Sequence, residues 1–176
     1  LKNWKPENYG KKFYGPSTFR KGIEYSRNLM TVRIAKILGL EEILNLSKKL
    51  NIYDEIPELL SVSLGAAETT LISLTSAYAP FVNGGNKINP KLISRIQDRR
   101  GKTIFQEKSV KCIGCDKFIS NKTSELPKIE NKKEKVISEE TAYQMASILQ
   151  GAVKRGTAKK LKTLKVPLAG KTGTTN

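Results

Sequence analysis

Apolar residues recur at three- and four-residue spacing in five stretches of the chain, and this pattern predicts amphipathic helices. The predicted helices run from Ser17 to Tyr25, Met30 to Leu38, Glu41 to Leu50, Glu68 to Phe81 and Ser138 to Val153. Hydroxyl residues at the start of the first and last helices can cap free N–H groups, and glycines follow the second and fourth. The side chains expected to face the core are Phe19, Ile23, Met30, Ile34, Ile37, Leu38, Ile43, Leu44, Leu46, Leu71, Leu74, Tyr78, Phe81, Ala142, Met145, Ile148, Leu149 and Val153.

Strand patterns are fewer than helical ones. Pro90 to Asp98 and Thr103 to Gln106 flank a turn at residues 99–102, and together they predict a β-hairpin. After a short helix from Thr157 to Leu164, β-branched residues from Val166 onward predict a C-terminal strand. The pattern as a whole indicates an α+β fold that is mainly helical, with a hairpin and a strand at the tail.

The segment from Lys108 to Lys135 is rich in lysine and asparagine, and it predicts a loose polar insertion. It contains Cys112 and Cys115. With two cysteines and no histidine, one chain lacks the usual four ligands of a structural zinc site. A thioredoxin-type redox site is also excluded, because it needs a strand-to-helix setting and this polar segment does not predict one. A local disulfide in an oxidising compartment is the preferred interpretation. Two free thiols, and more remotely a zinc ion shared by two chains, are the alternatives.

The composition suits one domain of 176 residues with a formal net charge of +16. Such a charge suggests a nucleic-acid partner, but the lysines are dispersed and aromatic residues make up 7% of the chain. We therefore expect no nucleic-acid partner. A solvated face is a better interpretation of the densest basic cluster than contact with an anionic membrane or polymer. That cluster consists of Lys154, Arg155, Lys159, Lys160, Lys162 and Lys165.

Ser26 and Asn28 lie at the junction of the first two predicted helices. Serine and asparagine prefer caps and turns to helix interiors, and at this spacing both side chains can point into one cleft. Histidine is absent from the sequence, which removes the Ser-His-Asp and Cys-His routes to an activated nucleophile. If the chain belongs to a serine enzyme, lysine is the obvious base.

The tail from Gly170 to Thr174 combines a cation, hydroxyls and small residues. Lys171 supplies positive charge, Thr172 and Thr174 supply hydroxyls, and Gly173 allows another backbone to approach closely. A strand edge of this kind suits a peptide that ends in a carboxylate. The Gly-Lys-Thr string also occurs in the phosphate-binding P-loop, but that motif requires glycine where this chain has Lys165, so it is rejected.

The chain resembles the transpeptidase domain of class A, bifunctional penicillin-binding proteins. The S-R-N string at Ser26 to Asn28 and the K-T-G triad at Lys171 to Gly173 are similar to two of that family's three motifs. The resemblance covers nearly the whole chain and is weakest over residues 108–135. The other strings that follow the family's order are Trp4-x-Pro6-x-Asn8-Tyr9, Tyr14-Gly15-Pro16, Thr31-Val32-Arg33, Leu64-Gly65-Ala66-x-Glu68, Ala77-Tyr78-Ala79-x-Phe81-x-Asn83-Gly84-Gly85, Asp98-Arg99-x-Gly101, Ala142-Tyr143-x-Met145 and Gly156-Thr157-Ala158.

The resemblance implies a D,D-transpeptidase that cross-links peptidoglycan by serine acyl transfer from stem peptides ending in D-Ala-D-Ala, and that β-lactams acylate. By position, Ser26 corresponds to the serine that relays protons with the catalytic lysine. Asn28 corresponds to the residue that bonds the substrate amide, and Lys171 to the lysine that supplies positive potential. Thr172 and Thr174 correspond to the hydroxyls that hold the carboxylate, with the Thr174 N–H as half of the oxyanion hole. No cofactor or metal is implied.

The family's nucleophile motif, S-x-x-K, does not occur in this sequence, because no serine is followed by lysine three residues later. The nearest string is Ser17 to Arg20, and arginine stays protonated and cannot act as the base. We expect the motif, a glycosyltransferase domain and a membrane anchor to lie upstream of Leu1, and further strands downstream of Asn176. The expectation is thus an incomplete penicillin-binding/β-lactamase-like fold, inactive alone, in a parent protein on the outer or periplasmic face of the bacterial inner membrane.

Other interpretations stay open at this point. An uncovered strand edge favours pairing with a second copy, which would give a homodimer. The main alternative is a non-catalytic basic module that binds peptidoglycan or nucleic acid. Binding that weakens steeply with salt would identify such a module. A third is an interaction domain with a vestigial cleft.

Overall fold

The structure is a computed structural model that describes residues 4–53, 55–107, 111–115, 126–130 and 133–173. The chain divides into two compact units. The first comprises residues 1–88 and 135–176, and the second comprises residues 89–134.

Five α-helices occur among the described residues of the first unit. They are α1 (Phe19–Glu24), α2 (Asn28–Leu38), α3 (Leu40–Lys49), α4 (Leu71–Tyr78) and α5 (Glu139–Lys154). Short 3₁₀ segments span Leu60–Leu64, Ala79–Phe81 and Lys159–Leu164. All five predicted helices are therefore confirmed, although α4 begins later than expected because the Thr70 hydroxyl caps it by accepting from the Ser73 N–H.

The core of the first unit is built around α5, which packs against α1 and against the segments Ala79–Phe81 and Lys159–Leu164. Ala152 of α5 is completely buried, and α2 packs on the segment Leu60–Leu64 and on α3. The buried positions of α5 confirm the predicted stripe of this helix except at Met145, which is half-buried. These positions include Ala142, Ile148, Leu149 and Val153.

Several other side chains predicted to be buried are exposed, so the buried faces of the remaining helices were predicted wrongly in part. In α2 the buried residues are Val32 and Ala35, and in α3 they are Leu44 and Ser47. The neighbours of α2 and α3 therefore cover a different side of each helix from the one that the large apolar residues indicated. The exposed members of the predicted set are Phe19, Ile37, Leu38, Leu46, Leu71, Leu74 and Tyr78.

The second unit contains the predicted hairpin, with β1 (Arg95–Gln97) antiparallel to β2 (Thr103–Gln106). Its turn is held by the Asp98 carboxylate, which accepts from the backbone N–H groups of Arg100 at 2.8 Å and Lys102 at 2.9 Å. Gly101 has a φ of +81°, which glycine adopts without steric cost. The hairpin is thus confirmed.

A second antiparallel pair in this unit was not predicted. It joins β3 (Lys111–Ile113) to β4 (Lys128–Glu130) inside the segment that was expected to be a loose insertion. A disulfide links Cys112 and Cys115, whose Cα atoms are 5.8 Å apart. The rest of that prediction, residues 108–110, 116–125 and 131–132, falls outside the described residues.

The described tail, residues 166–173, does not form the predicted strand. A strand needs a neighbour that pairs with its backbone, whereas here the Gly170 N–H donates to the Leu149 carbonyl oxygen of α5 at 3.2 Å. The segment Lys159–Leu164 is 3₁₀ rather than α-helical, and Ala158 precedes it in place of the predicted Thr157 cap. In the described part of the chain, no helix is both long and apolar enough to span a bilayer.

Replacing Ser138 with alanine is expected to lower the free energy of unfolding by about 1 kcal/mol, because an N-cap is lost. The Ser138 hydroxyl accepts from the Thr141 N–H at 3.2 Å at the start of α5. Urea denaturation of Ser138→Ala would measure the loss, with Ser138→Asp as the control that keeps an acceptor oxygen. Equal stability of the alanine variant and the original chain would contradict the capping role.

Candidate active site

The turn between α1 and α2 positions Ser26. The Ser26 N–H donates to the Ile23 carbonyl oxygen at 3.1 Å, and the Arg27 N–H donates to the Gly22 carbonyl oxygen at 2.8 Å. Ser26 has a φ of +51°, in the left-handed region that costs a residue with a Cβ about 1 kcal/mol. This conformation reverses the chain between the two helices and leaves the Ser26 hydroxyl free to meet the tail.

Lys171 reaches this turn from the far end of the sequence. Its Nζ donates to Ser26 Oγ at 2.7 Å and to the Thr172 carbonyl oxygen at 2.9 Å. The backbone bond from Gly170 to α5 fixes the tail immediately before Lys171. The structure therefore brings together two residues that stand 145 positions apart in the sequence.

A cavity of about 380 Å³ opens beside this pair, with a mainly apolar lining. Lys171 is exposed as a whole residue, yet the surrounding protein partly removes water from its ammonium group, and this desolvation lowers the pKa of Lys171. Burial likewise raises the pKa of Tyr78, which lines the same cavity. The lining residues are Gly22, Ile23, Ser26, Thr31, Leu50, Ile52, Leu74, Ala77, Tyr78, Phe81, Met145, Leu149 and Lys171.

Thr172 lies next to Thr157, and their hydroxyl oxygens are 2.7 Å apart. Open space lies beside Gly170 and Gly173, since a Cβ added at either position would meet no atom within 4 Å. A second backbone can therefore approach the tail here. Thr174, for which a carboxylate-binding hydroxyl and an oxyanion-hole N–H were expected, lies outside the described residues.

Asn28 is the first residue of α2, and its amide contacts the N-terminal loop. Its Nδ2 donates to the Glu7 carbonyl oxygen at 2.9 Å. The neighbouring Leu29 N–H donates to Asn8 Oδ1 at 3.2 Å, so both bonds tie the loop to the start of α2. Asn28 is not among the residues that line the cavity beside Ser26, and the expectation that both side chains point into one cleft stays a prediction.

Sequence reasoning missed Glu24, Arg155 and Thr157, which connect α1 to the end of α5. Glu24 is 3% exposed and forms an ion pair with Arg155. The hydrogen bond and the charge of Glu24 raise the pKa of the Arg155 guanidinium. Nothing in the sequence pattern marks Glu24, because a glutamate at a helix end is usually solvated.

Comparison with known proteins gives one consistent family. A family model described as penicillin binding protein transpeptidase domain matches residues 1–176. The chain is 41% identical over 179 residues to penicillin-binding protein 1A of Rickettsia conorii, covering 100% of the chain and 22% of that protein. It is 32% identical over 205 residues to penicillin-binding protein 1A of Pseudomonas aeruginosa, covering 99% of the chain and 25% of that protein.

A solved structure agrees with these sequence matches. The crystal structure of penicillin-binding protein 1A from Haemophilus influenzae aligns with a TM-score of 0.78 at 25% identity, over 98% of this chain and 29% of that one. The chain thus spans 22% of the Rickettsia conorii relative and 25% of the Pseudomonas aeruginosa relative.

Proposed function

Because the chain belongs to the transpeptidase family of penicillin-binding proteins, a class of serine-type transpeptidases, we propose that it supplies part of the active site of a peptidoglycan D,D-transpeptidase. The resemblance inferred from the sequence is confirmed at the level of the family and the fold. In the proposed reaction, stem peptides ending in D-Ala-D-Ala are cross-linked by acyl transfer through a serine.

The hydrogen bond from Lys171 to Ser26 is the observation that carries this proposal. Since the Lys171 ammonium donates to Ser26 Oγ at 2.7 Å, the Ser26 hydroxyl hydrogen stays available for an acceptor on the substrate. A serine that accepts on one side and donates on the other can pass a proton between a lysine and a reacting group. Partial desolvation of Lys171 favours its neutral form, which makes the ammonium a better proton donor.

The tail provides the features that an anionic peptide substrate requires. Lys171 supplies positive charge, the Thr172 hydroxyl is exposed, and the space beside Gly170 and Gly173 is open. We propose that a stem peptide lies along this edge with its carboxylate on Thr172 and Thr174. Asn28 would act on the substrate amide after exchanging its bond to the Glu7 carbonyl oxygen.

The chain alone is proposed to be inactive, because its sequence contains no S-x-x-K motif to supply the nucleophile. We propose that the whole protein contains this motif, a glycosyltransferase domain and a membrane anchor, and works at the outer face of the plasma membrane. In that setting the Cys112–Cys115 disulfide would be stable, since oxidising compartments preserve such bonds.

Labelling with a fluorescent penicillin tests the proposal. The two samples are this chain and an extended protein, in which the chain is preceded and followed by the corresponding parts of the Rickettsia conorii relative. We expect covalent label in the extended protein, on an upstream serine, and none in the chain alone. Labelling of the short chain would disprove its inactivity, and absence of label in both samples would remove the support for the transpeptidase function.

A basic binding module is the second candidate, and the net charge of +16 favours it. If neither sample is labelled, binding of the chain to peptidoglycan should be measured at rising salt concentration. Binding through dispersed lysines weakens steeply with salt. The affinity of a single stem peptide that is bound at the tail through hydrogen bonds changes much less with salt.

A further inference from the structure

A buried carboxylate lies two residues before Ser26. Among the buried polar residues in the described part of the chain, which are Asn8, Glu24 and Ser47, only Glu24 carries a charge. A carboxylate at 3% exposure is unfavourable unless it is paired and hydrogen-bonded. Its position at the end of α1 therefore requires a partner.

Arg155 provides that partner from the end of α5. The guanidinium binds the carboxylate through two nitrogens: Nε donates to Oε2 at 3.1 Å, and Nη2 donates to Oε1. Arg20 lies farther away, with its Nη1 3.7 Å from Oε1. Two-point binding of this kind fixes the angle between the two groups as well as their distance.

The backbone at Glu24 forms a second connection to the same place. The Thr157 N–H donates to the Glu24 carbonyl oxygen at 3.1 Å. Gly151 and Gly156 make this approach possible, because a Cβ at Gly151 would overlap the Glu24 carboxylate and a Cβ at Gly156 would overlap the Glu24 carbonyl oxygen. Both functional groups of Glu24 are therefore held by the segment from Gly151 to Thr157.

These connections close a ring that contains the candidate active-site pair. The Thr157 hydroxyl lies 2.7 Å from the Thr172 hydroxyl, Thr172 follows Lys171, and Lys171 donates to Ser26 at 2.7 Å. Ser26 leads back to Glu24 through Tyr25. The separation of Ser26 and Lys171 thus depends on how α1 is attached to the end of α5.

We propose that Glu24 and Arg155 are positioning residues that set the separation between Ser26 Oγ and Lys171 Nζ. The proposal rests on the proposed transpeptidase function for its chemical meaning, and on the ring of contacts for its geometry. Neither residue lines the cavity beside Ser26. The competing explanation is an ion pair that only joins α1 to α5 and therefore affects stability alone.

The first test is made on the chain itself, by following the NMR shifts of the Lys171 side chain during a pH titration. Tyr78 is the other titratable side chain that lines the cavity among the described residues, so its titration is followed in parallel. In Arg155→Ala the Glu24 carboxylate loses its two-point partner, so the attachment of α1 to the end of α5 loosens. Lys171 should then become more hydrated, and its pKa should rise toward the ordinary lysine value. Arg155→Lys keeps a cation and should give a smaller rise.

Lys154→Ala is the matched control, because Lys154 carries the same charge one position earlier and donates a hydrogen bond to Gln150 of its own helix. It should leave the pKa of Lys171 unchanged. If Arg155→Ala and Arg155→Lys lower the melting temperature but leave that pKa unchanged, the positioning role is overturned. Should the alanine variant not fold, the lysine variant decides by the same criterion.

The second test uses the extended protein and its rate of acylation by penicillin. Arg155→Ala should lower this rate about tenfold to a hundredfold, since a misplacement of about 1 Å has effects of that size. The pH dependence of the acylation rate should shift to higher pH, in the same direction as the pKa of Lys171. Arg155→Lys should recover part of the rate. If the unaltered extended protein takes no label, the transpeptidase proposal fails, whereas the titration still decides whether Glu24 and Arg155 position Lys171.

Discussion

Replacing Lys171 with alanine in the extended protein is expected to slow acylation by penicillin about a hundredfold to a thousandfold, the size of effect seen when a group that stabilises a transition state is removed. The change removes the donor to Ser26 Oγ and the charge that faces an anionic substrate. Stopped-flow or gel-based labelling at several penicillin concentrations would separate the loss of binding from the loss of rate.

Lys160→Ala is the control for this variant, because Lys160 is an exposed lysine of the preceding 3₁₀ segment and does not line the cavity beside Ser26. It should react at the rate of the unaltered protein. Lys171→Arg should retain part of the attraction for the substrate but not the rate, since arginine cannot give up its proton. Normal labelling of Lys171→Ala would remove Lys171 from the mechanism.

Replacing Leu149 with alanine is expected to lower the free energy of unfolding by about 2–5 kcal/mol, the range for deleting a buried leucine side chain. Leu149 is 5% exposed and lies in α5, between the cavity beside Ser26 and a smaller one beside Ala169. Urea denaturation would measure the loss. Because the Leu149 carbonyl oxygen accepts from Gly170, relaxation of α5 around the missing side chain would also disturb the tail.

Two control variants test whether the loss of stability in Leu149→Ala comes from the buried volume that is removed. Leu149→Met keeps most of the volume and should cost less than about 1.5 kcal/mol. Leu161→Ala removes the same atoms at a position that is 45% exposed, and its effect should be smaller than that of Leu149→Ala. If Leu149→Ala and Leu161→Ala were equally stable, α5 would not be the centre of the core.

Helix positions could be predicted because periodicity and caps are local signals. Ser138 and Thr18 cap α5 and α1 as their residue types suggest, and the turn at Gly101 fixes the hairpin. Which side of a helix is buried is decided by neighbours that the pattern does not reveal. Ile37 is 83% exposed while Ala35, two positions earlier in α2, is buried, so the large apolar residues do not mark the buried side of this helix.

In the candidate site, too, short sequence strings could be predicted and long-range contacts could not. Ser26 and Lys171 were found because two short strings match a family whose chemistry is known, and the structure places them in contact. The tail strand was wrong because strand formation depends on a pairing partner and not on the β-branched residues alone. Glu24 and Arg155 could not be found, since their contact spans 131 residues and neither stands in a recognisable string.

The left-handed backbone of Ser26 makes stability and activity oppose each other at this position. Glycine and asparagine adopt a φ near +51° at lower cost than serine does. A screen of variants for thermal resistance alone would therefore enrich these two residues at position 26, and both would remove the hydroxyl that accepts from Lys171. If Ser26 has the proposed role, engineering this domain for robustness requires that position 26 be held fixed.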